Sequence, residues 1–220
     1  MNNKLKEIIK LVILEVSEEE FEKLGVPSEK TGLKTLRVFD FDDTLAKTNS
    51  KVGVTEYDKK SGEQITPEYM ITPAQYATFK TDVVANNPDI EYKYDYREFA
   101  EVVDPKTIDW TFEILNNIVK KLRASENIPA VILTARGHGA NKNIRAFLRS
   151  KDINIPVKTL EGSSPELKSE WIKQTMLDRN IPHVEFFDDS QLNIAAVKDL
   201  NNDPDLIEVF KQDLRSEEHT

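Results

Sequence analysis

The sequence predicts an α/β fold, a Rossmann-like three-layer sandwich in which helices cover both faces of a parallel sheet, with one insertion after the first core strand. Three observations predict it. From about residue 33 to residue 200, short apolar runs alternate with stretches of helical periodicity, the order that βαβ units produce. The runs themselves are almost wholly apolar, as strands buried on two faces are. Residues 48–105 break that rhythm with a hairpin signal and an alternating aromatic pattern. The organisation expected is therefore an N-terminal segment over 1–30 and a core over 31–220, with 48–105 inserted as a small cap.

Each element has its own signal. Leu5, Ile8, Ile9, Val12 and Val16 recur at helical spacing and predict an amphipathic helix, a surface for the domain or for a protein partner. Leu36–Phe41 reads as the first core strand. Val52–Ile65 reads as a hairpin around Asp58-Lys59-Lys60-Ser61-Gly62. Ile90, Tyr92, Tyr94 and Tyr96 alternate with Glu91, Lys93, Asp95 and Arg97, a strand with one aromatic face. All six tyrosines fall between Tyr57 and Tyr96. Ile114, Leu115, Ile118, Val119 and Leu122 share one helical face. Strands follow at Pro129–Leu133, Ile155–Leu160 and Val184–Phe187, with helices around Ile144–Leu148, Leu167–Leu177 and Leu192–Leu200. A short helix closes the chain after Asp203.

Composition removes several functions. The 220 residues carry 30 basic and 39 acidic side chains, a net charge of −9, so extended nucleic-acid binding, which needs a basic face, is not expected. There is no cysteine, hence no disulfide, thiolate metal site or cysteine nucleophile. Ile8–Val16 is interrupted by Lys10 and Glu15, too short and charged for a membrane span or a signal core, and a cytoplasmic protein is expected.

The chemistry gathers at strand ends. In a parallel sheet the carboxyl ends of the strands form one rim, where ligands bind. The first strand runs into Asp40-Phe41-Asp42-Asp43-Thr44, the second into Thr134-Ala135-Arg136-Gly137, and the last into Asp188-Asp189-Ser190. Four carboxylates so close repel one another and imply a divalent cation. All-oxygen ligation favours Mg²⁺, and His138, His183 and His219 lie too far apart in sequence to compete. A calcium loop is excluded, because Leu45 and Lys51 stand where Gly and Glu are required.

Asp40-Phe41-Asp42-Asp43-Thr44 after a hydrophobic strand resembles motif I of the haloacid dehalogenase superfamily. Thr134 resembles its motif II, Lys168 is placed like its motif III lysine, and Asp188-Asp189-Ser190-Gln191-Leu192-Asn193 is similar to motif IV. The resemblance implies a phosphatase in which Asp40 is the nucleophile, forming an aspartyl-phosphate, and Asp42 the general acid/base. It implies that Thr134 and Lys168 bind the transferring phosphoryl group. It implies Mg²⁺ held by Asp40, the Asp42 carbonyl and a motif IV aspartate, Asp189 ahead of Asp188. Thr44 is read as a substrate contact or a loop cap, and Arg136 as a phosphate contact or a surface residue. Lys158 and Lys173 are the rivals of Lys168. The Thr-x-Arg form resembles the phosphatase half of phage-type polynucleotide kinase-phosphatases. That points to a nucleotide or a nucleic-acid 3′-phosphate end, with a sugar phosphate as the rival substrate and a non-catalytic metal- or phosphate-binding subunit as the rival class. The tyrosine-rich face either stacks on substrate or buries one side of a small sheet.

Overall fold

The computed structural model describes residues 12–14, 35–122, 130–162 and 164–209. In chain order the elements begin with β1 (Val12–Leu14), β2 (Thr35–Phe39), β3 (Ala46–Lys47), β4 (Val52–Asp58) and β5 (Tyr69–Ile71). Then come α1 (Pro73–Phe79), β6 (Ile90–Asp95), α2 (Arg97–Glu101), β7 (Lys106–Thr107) and α3 (Asp109–Leu122). The chain continues through β8 (Val131–Thr134), α4 (Ala140–Arg149), β9 (Val157–Thr159), α5 (Pro165–Arg179), β10 (His183–Phe187) and α6 (Gln191–Asp199). Residues 204–209 are helical.

Strands β10, β2, β8 and β9 form the parallel core of the sheet, in that order, and β1 adds a fifth strand beside β10. Val12–Leu14 is thus a strand, where the spacing predicted helix. The apolar triplet Val-Ile-Leu suits either state over so short a run, and pairing with the open edge of β10 decides it. The rest of the 1–30 helix lies outside the described residues, as does the chain after 209.

Successive strand residues point to opposite faces. On one face Phe39, Ile132 and Phe187 pack with Leu115, Ile118 and Val119 of α3 and with Ile144 and Leu148 of α4. On the other, Val38, Val131, Leu133 and Phe186 pack with Ile172 and Met176 of α5 and Val197 of α6. Phe39 and Phe187, cross-strand neighbours, stack with centroids 4.2 Å apart, a contact adding about 0.5–1.5 kcal/mol beyond its burial. Helices on both faces leave the carboxyl ends of the strands as the open rim. No helix among the described residues is long and apolar enough to cross a membrane.

Residues between β3 and β7 leave this core and return. The two short strands pair antiparallel, Ala46 with Thr107 and Lys47 with Lys106, and bracket the insertion. Inside it, β5, β4 and β6 form an antiparallel sheet. The hairpin at Asp58 closes by Asp58 N–H to the Glu63 carbonyl at 2.9 Å, while the Asp58 carboxylate accepts from the Lys60 and Ser61 amides. Val52, Val54, Ile71 and Phe79 form a separate small core, with Tyr92 and Tyr94 packed against it. Phe79 meets Tyr92 edge to face at 5.3 Å, and Tyr76 meets Tyr94 at 5.4 Å. Two rings of the aromatic face are therefore spent on the sheet's own packing. Tyr96, at the strand's end, stays 46% exposed.

Candidate active site

β2 sits between β10 and β8, so the chain departs in opposite directions on its two sides, and the rim there opens as a crevice. The Asp40 amide donates to the Phe187 carbonyl at 2.9 Å, which extends the β2–β10 ladder and sets Asp40 beside Asp188. Both are buried. Between them lies the ammonium of Lys168, whose Nζ donates to Asp40 Oδ1 and to Asp188 Oδ2, each at 2.6 Å.

Lys168 reaches that position from the first turn of α5, which starts at Pro165 after the cap Ser164. A cation near a helix N-terminus opposes the helix dipole, so only the two carboxylates make the placement favourable. Burial weakens its charged form, yet Asp40 and Asp188 outweigh that and hold the ammonium above its usual pKa. For Asp40 the balance goes the other way. Burial pushes its carboxyl up to about 8, against the pull of Lys168 and with the repulsion of Asp188 and Asp42 added.

Asp188 is saturated. Its oxygens accept from the Ser190 amide at 2.8 Å, from Asn193 Nδ2 at 3.0 Å on each oxygen, and from Lys168. Asp189 is turned outward and exposed. Its Oδ1 accepts from Thr44 Oγ1 at 3.2 Å, and its amide donates back to that hydroxyl at 3.0 Å. Partial burial, then Asp188 and Asp43, hold its carboxyl above the ordinary range. Thr44 thus ties the loop after β2 to the loop after β10, and Thr111 donates to the Thr44 carbonyl from α3.

The loop after β2 is tight. The Phe41 carbonyl accepts from Leu45 and Ala46, and Asp43 takes a left-handed φ of 54° with its amide on the Ala46 carbonyl. This turn sets Asp42 against the insertion, where Thr48 Oγ1 donates to its Oδ1 at 3.5 Å. There Arg136 binds it from both sides, Nε to Oδ2 at 2.8 Å and Nη2 to Oδ1 at 2.7 Å. Thr134, at the end of β8, is fully buried and accepts from the Arg136 amide at 3.2 Å.

The structure therefore brings Asp40, Lys168 and Asp188 into one hydrogen-bonded group, and Thr44 with Asp189 into another. Arg136 neither faces solvent nor holds a free donor toward the rim, because all three of its guanidinium nitrogens have protein acceptors. Lys173 pairs with Asp203 and Asp205, and Lys158 is exposed on β9, so neither rival takes the place of Lys168. Thr48, Ser50 and the Phe99 carbonyl, all partners of Arg136, carried no sequence signal, since ordinary polar residues and a backbone oxygen are visible only once the chain is folded.

Among the described residues no group of three His, Asp or Glu side chains forms a ready metal cage. Mg²⁺ does not need one, since it binds through one or two carboxylates and retains water. Oδ2 of Asp40 and Oδ2 of Asp189 accept no hydrogen bond within the described residues, and both are hard oxygen donors. Each is a donor of the kind Mg²⁺ takes, whereas Asp188 has its oxygens committed to Lys168, Ser190 and Asn193. No protein-family model matches the chain, and no curated protein or solved structure matches it.

Proposed function

We propose that the protein is a Mg²⁺-dependent phosphomonoesterase working through an aspartyl-phosphate on Asp40. The observation that carries this reading is the buried Asp40–Lys168–Asp188 group at the switch point of the sheet. A carboxylate held beside a fixed ammonium can attack an anion that would otherwise repel it, because the cation neutralises charge on both reactants.

The residues take their roles from position. Asp40 attacks phosphorus with its carboxylate, which the bond from Lys168 to Oδ1 holds in place. Asp42 gives a proton to the departing oxygen and then takes one from the water that hydrolyses the intermediate. Lys168 orients Asp40 and neutralises phosphoryl oxygens, with Asp188 keeping the ammonium in place. The Thr134 hydroxyl supplies a donor to the same group at the end of β8. Asp40, Asp189 and the Asp42 carbonyl would hold Mg²⁺, which supplies charge neutralisation at the phosphoryl oxygens when bound.

The substrate we place first is a nucleotide or a nucleic-acid 3′-phosphate end, on the Thr134-x-Arg136 form of the second strand's end. A sugar or other small metabolite phosphate is second. It is favoured by one observation, that Tyr92 and Tyr94 are packed inside the insertion rather than offered for stacking on a base. The test is hydrolysis of a chromogenic phosphate ester with Mg²⁺, followed by kcat/KM for 3′-phosphorylated oligonucleotides, nucleoside monophosphates and sugar phosphates. Asp40→Asn abolishes turnover with the fold intact by circular dichroism, and EDTA removes the activity until Mg²⁺ is restored. Binding of phosphate and Mg²⁺ by a wild-type protein that turns nothing over establishes the non-catalytic subunit instead.

A further inference from the structure

Arg136 is the deepest link between the core and the insertion. Its side chain is 1% exposed. Besides the two bonds to Asp42, Nη2 donates to Thr48 Oγ1 at 2.8 Å, Nη1 donates to the Phe99 carbonyl, and both Nη atoms reach Ser50 Oγ at 3.4 Å. The guanidinium lies over the Phe99 ring at 4.7 Å and near that of Phe41 at 5.7 Å. Asp42 and Phe41 belong to the loop after β2. Thr48, Ser50 and Phe99 belong to the insertion, two just after β3 and one on α2. One cation is thus shared between a rim carboxylate and the body of the insertion.

The surroundings hold the α2 end of this link in a costly shape. α2 closes at Val102 with φ 58°, a conformation uncommon for a β-branched residue. The next amide, of Val103, donates to Ser50 Oγ at 3.1 Å, the same hydroxyl that Arg136 reaches. α2 also sits on the start of α4, where Asn143 Nδ2 donates to the Ala100 carbonyl at 2.7 Å and a Cβ on Gly139 would come within 3.0 Å of Ala100. An arginine kept for binding phosphate would leave a donor facing the rim. This one has a planar fork matched to a carboxylate on one side and insertion oxygens on the other.

We infer that Arg136 is a positioning residue, setting the plane of the Asp42 carboxylate and making its placement depend on how the insertion is seated. This rests on the phosphatase reading above. In that reaction the Asp42 proton passes to the leaving oxygen as its bond to phosphorus breaks and the Asp40–phosphorus bond forms. In the second half, water attacks phosphorus, its proton passes to the Asp42 carboxylate, and the Asp40–phosphorus bond breaks. Asp42 Oδ1 also accepts from Thr48 Oγ1 at 3.5 Å, whereas Oδ2 has only the Arg136 Nε bond within the described residues and keeps a lone pair for these transfers.

The test is kcat/KM for phosphate monoesters graded by leaving-group basicity, from activated aryl to alkyl, in wild type, Asp42→Asn, Arg136→Lys and Ser50→Ala. A misplaced acid matters most where the leaving oxygen most needs a proton. Arg136→Lys loses about 100-fold on alkyl esters and under about 10-fold on the most activated ester, with KM little changed. Ser50→Ala, on the insertion side, shifts the same dependence by a few-fold. Adding Arg136→Lys to Asp42→Asn costs little more, since Arg136 acts through Asp42. A uniform loss across the series with a raised KM makes Arg136 a phosphate contact and overturns the inference. So does an unchanged leaving-group dependence in both Arg136→Lys and Ser50→Ala. If Arg136→Lys does not fold, Ser50→Ala decides alone. A wild type without phosphatase activity overturns the phosphatase reading and this inference together, whereas an active one isolates the inference.

Discussion

The core and the insertion solve burial in opposite ways. Among the described residues, the buried side chains of Asp, Glu, Lys and Arg are Asp40, Arg136, Lys168, Glu185 and Asp188, and all five lie in the core. The insertion buries aliphatic and aromatic residues, and its one deeply buried polar side chain, Ser50, sits at its junction with the core. Its tyrosine hydroxyls find partners near the surface, Tyr76 with Tyr96 at 2.6 Å and Tyr69 with Glu56 at 2.7 Å. The lesson is a division of labour. The core gathers charges that burial disfavours, and the insertion carries no such load. Damage to the core's charges should be steeply dependent on pH and on chemistry, and damage to the insertion's own apolar core, away from the Ser50 junction, should be neither.

The largest effect on stability is expected at Lys168. Lys168→Met leaves Asp40 and Asp188 buried without their cation, a loss of about 3–5 kcal/mol at pH 7.5 in EDTA. The sign with pH follows from the shifts. The Asp40 carboxyl is raised in the fold, from 3.8 to about 8, so the native state holds its proton longer and stability falls as pH rises through that interval. Without Lys168 that fall steepens, so urea melts should show a smaller deficit at pH 5 than at pH 7.5. An equal deficit at both would mean the carboxylates are not coupled through Lys168. The Lys168 ammonium itself, raised in the fold, contributes fully below its unfolded pKa and is lost only in strongly alkaline solution.

Phe79→Ala comes next. It opens the insertion's small core at a cost of about 3 kcal/mol, with no pH dependence. Hydrogen exchange should quicken across β4 and β6 while the strands around β2 keep their protection, and activity on a small chromogenic ester should fall less than that of any core charge variant. Faster exchange in β2 as well would show that the two units unfold as one. The smallest effect is Tyr76→Phe, which removes only the hydroxyl pair with exposed Tyr96. It should cost about 0.5 kcal/mol or less in a thermal melt, and a larger loss would mean that this pair anchors α1 to β6.

Much of this contrast was legible before folding. The apolar runs at Leu36–Phe41, Pro129–Leu133 and Val184–Phe187 mark β2, β8 and β10 within a residue or two, because strands buried on both faces admit little else. The alternation through Tyr92 and Tyr94 marks a one-sided strand, although periodicity alone does not say what the aromatic face meets. Val12–Leu14 was not legible, since three apolar residues fit either state and the partner edge lies about 170 residues away in the chain.

The amino-acid sequence by itself determined the alternating α/β order and the stations of Asp40, Thr134, Lys168 and Asp188, since local patterning places each at a strand end or a helix start. Tertiary structure alone decided which charges meet. It closed Lys168 on Asp40 and Asp188, turned Asp189 outward to Thr44, and drew Arg136 inward between Asp42 and the insertion. The physical reason is that periodicity fixes which face a residue takes, whereas an ion pair between residues 94 or 128 apart depends on how whole elements dock.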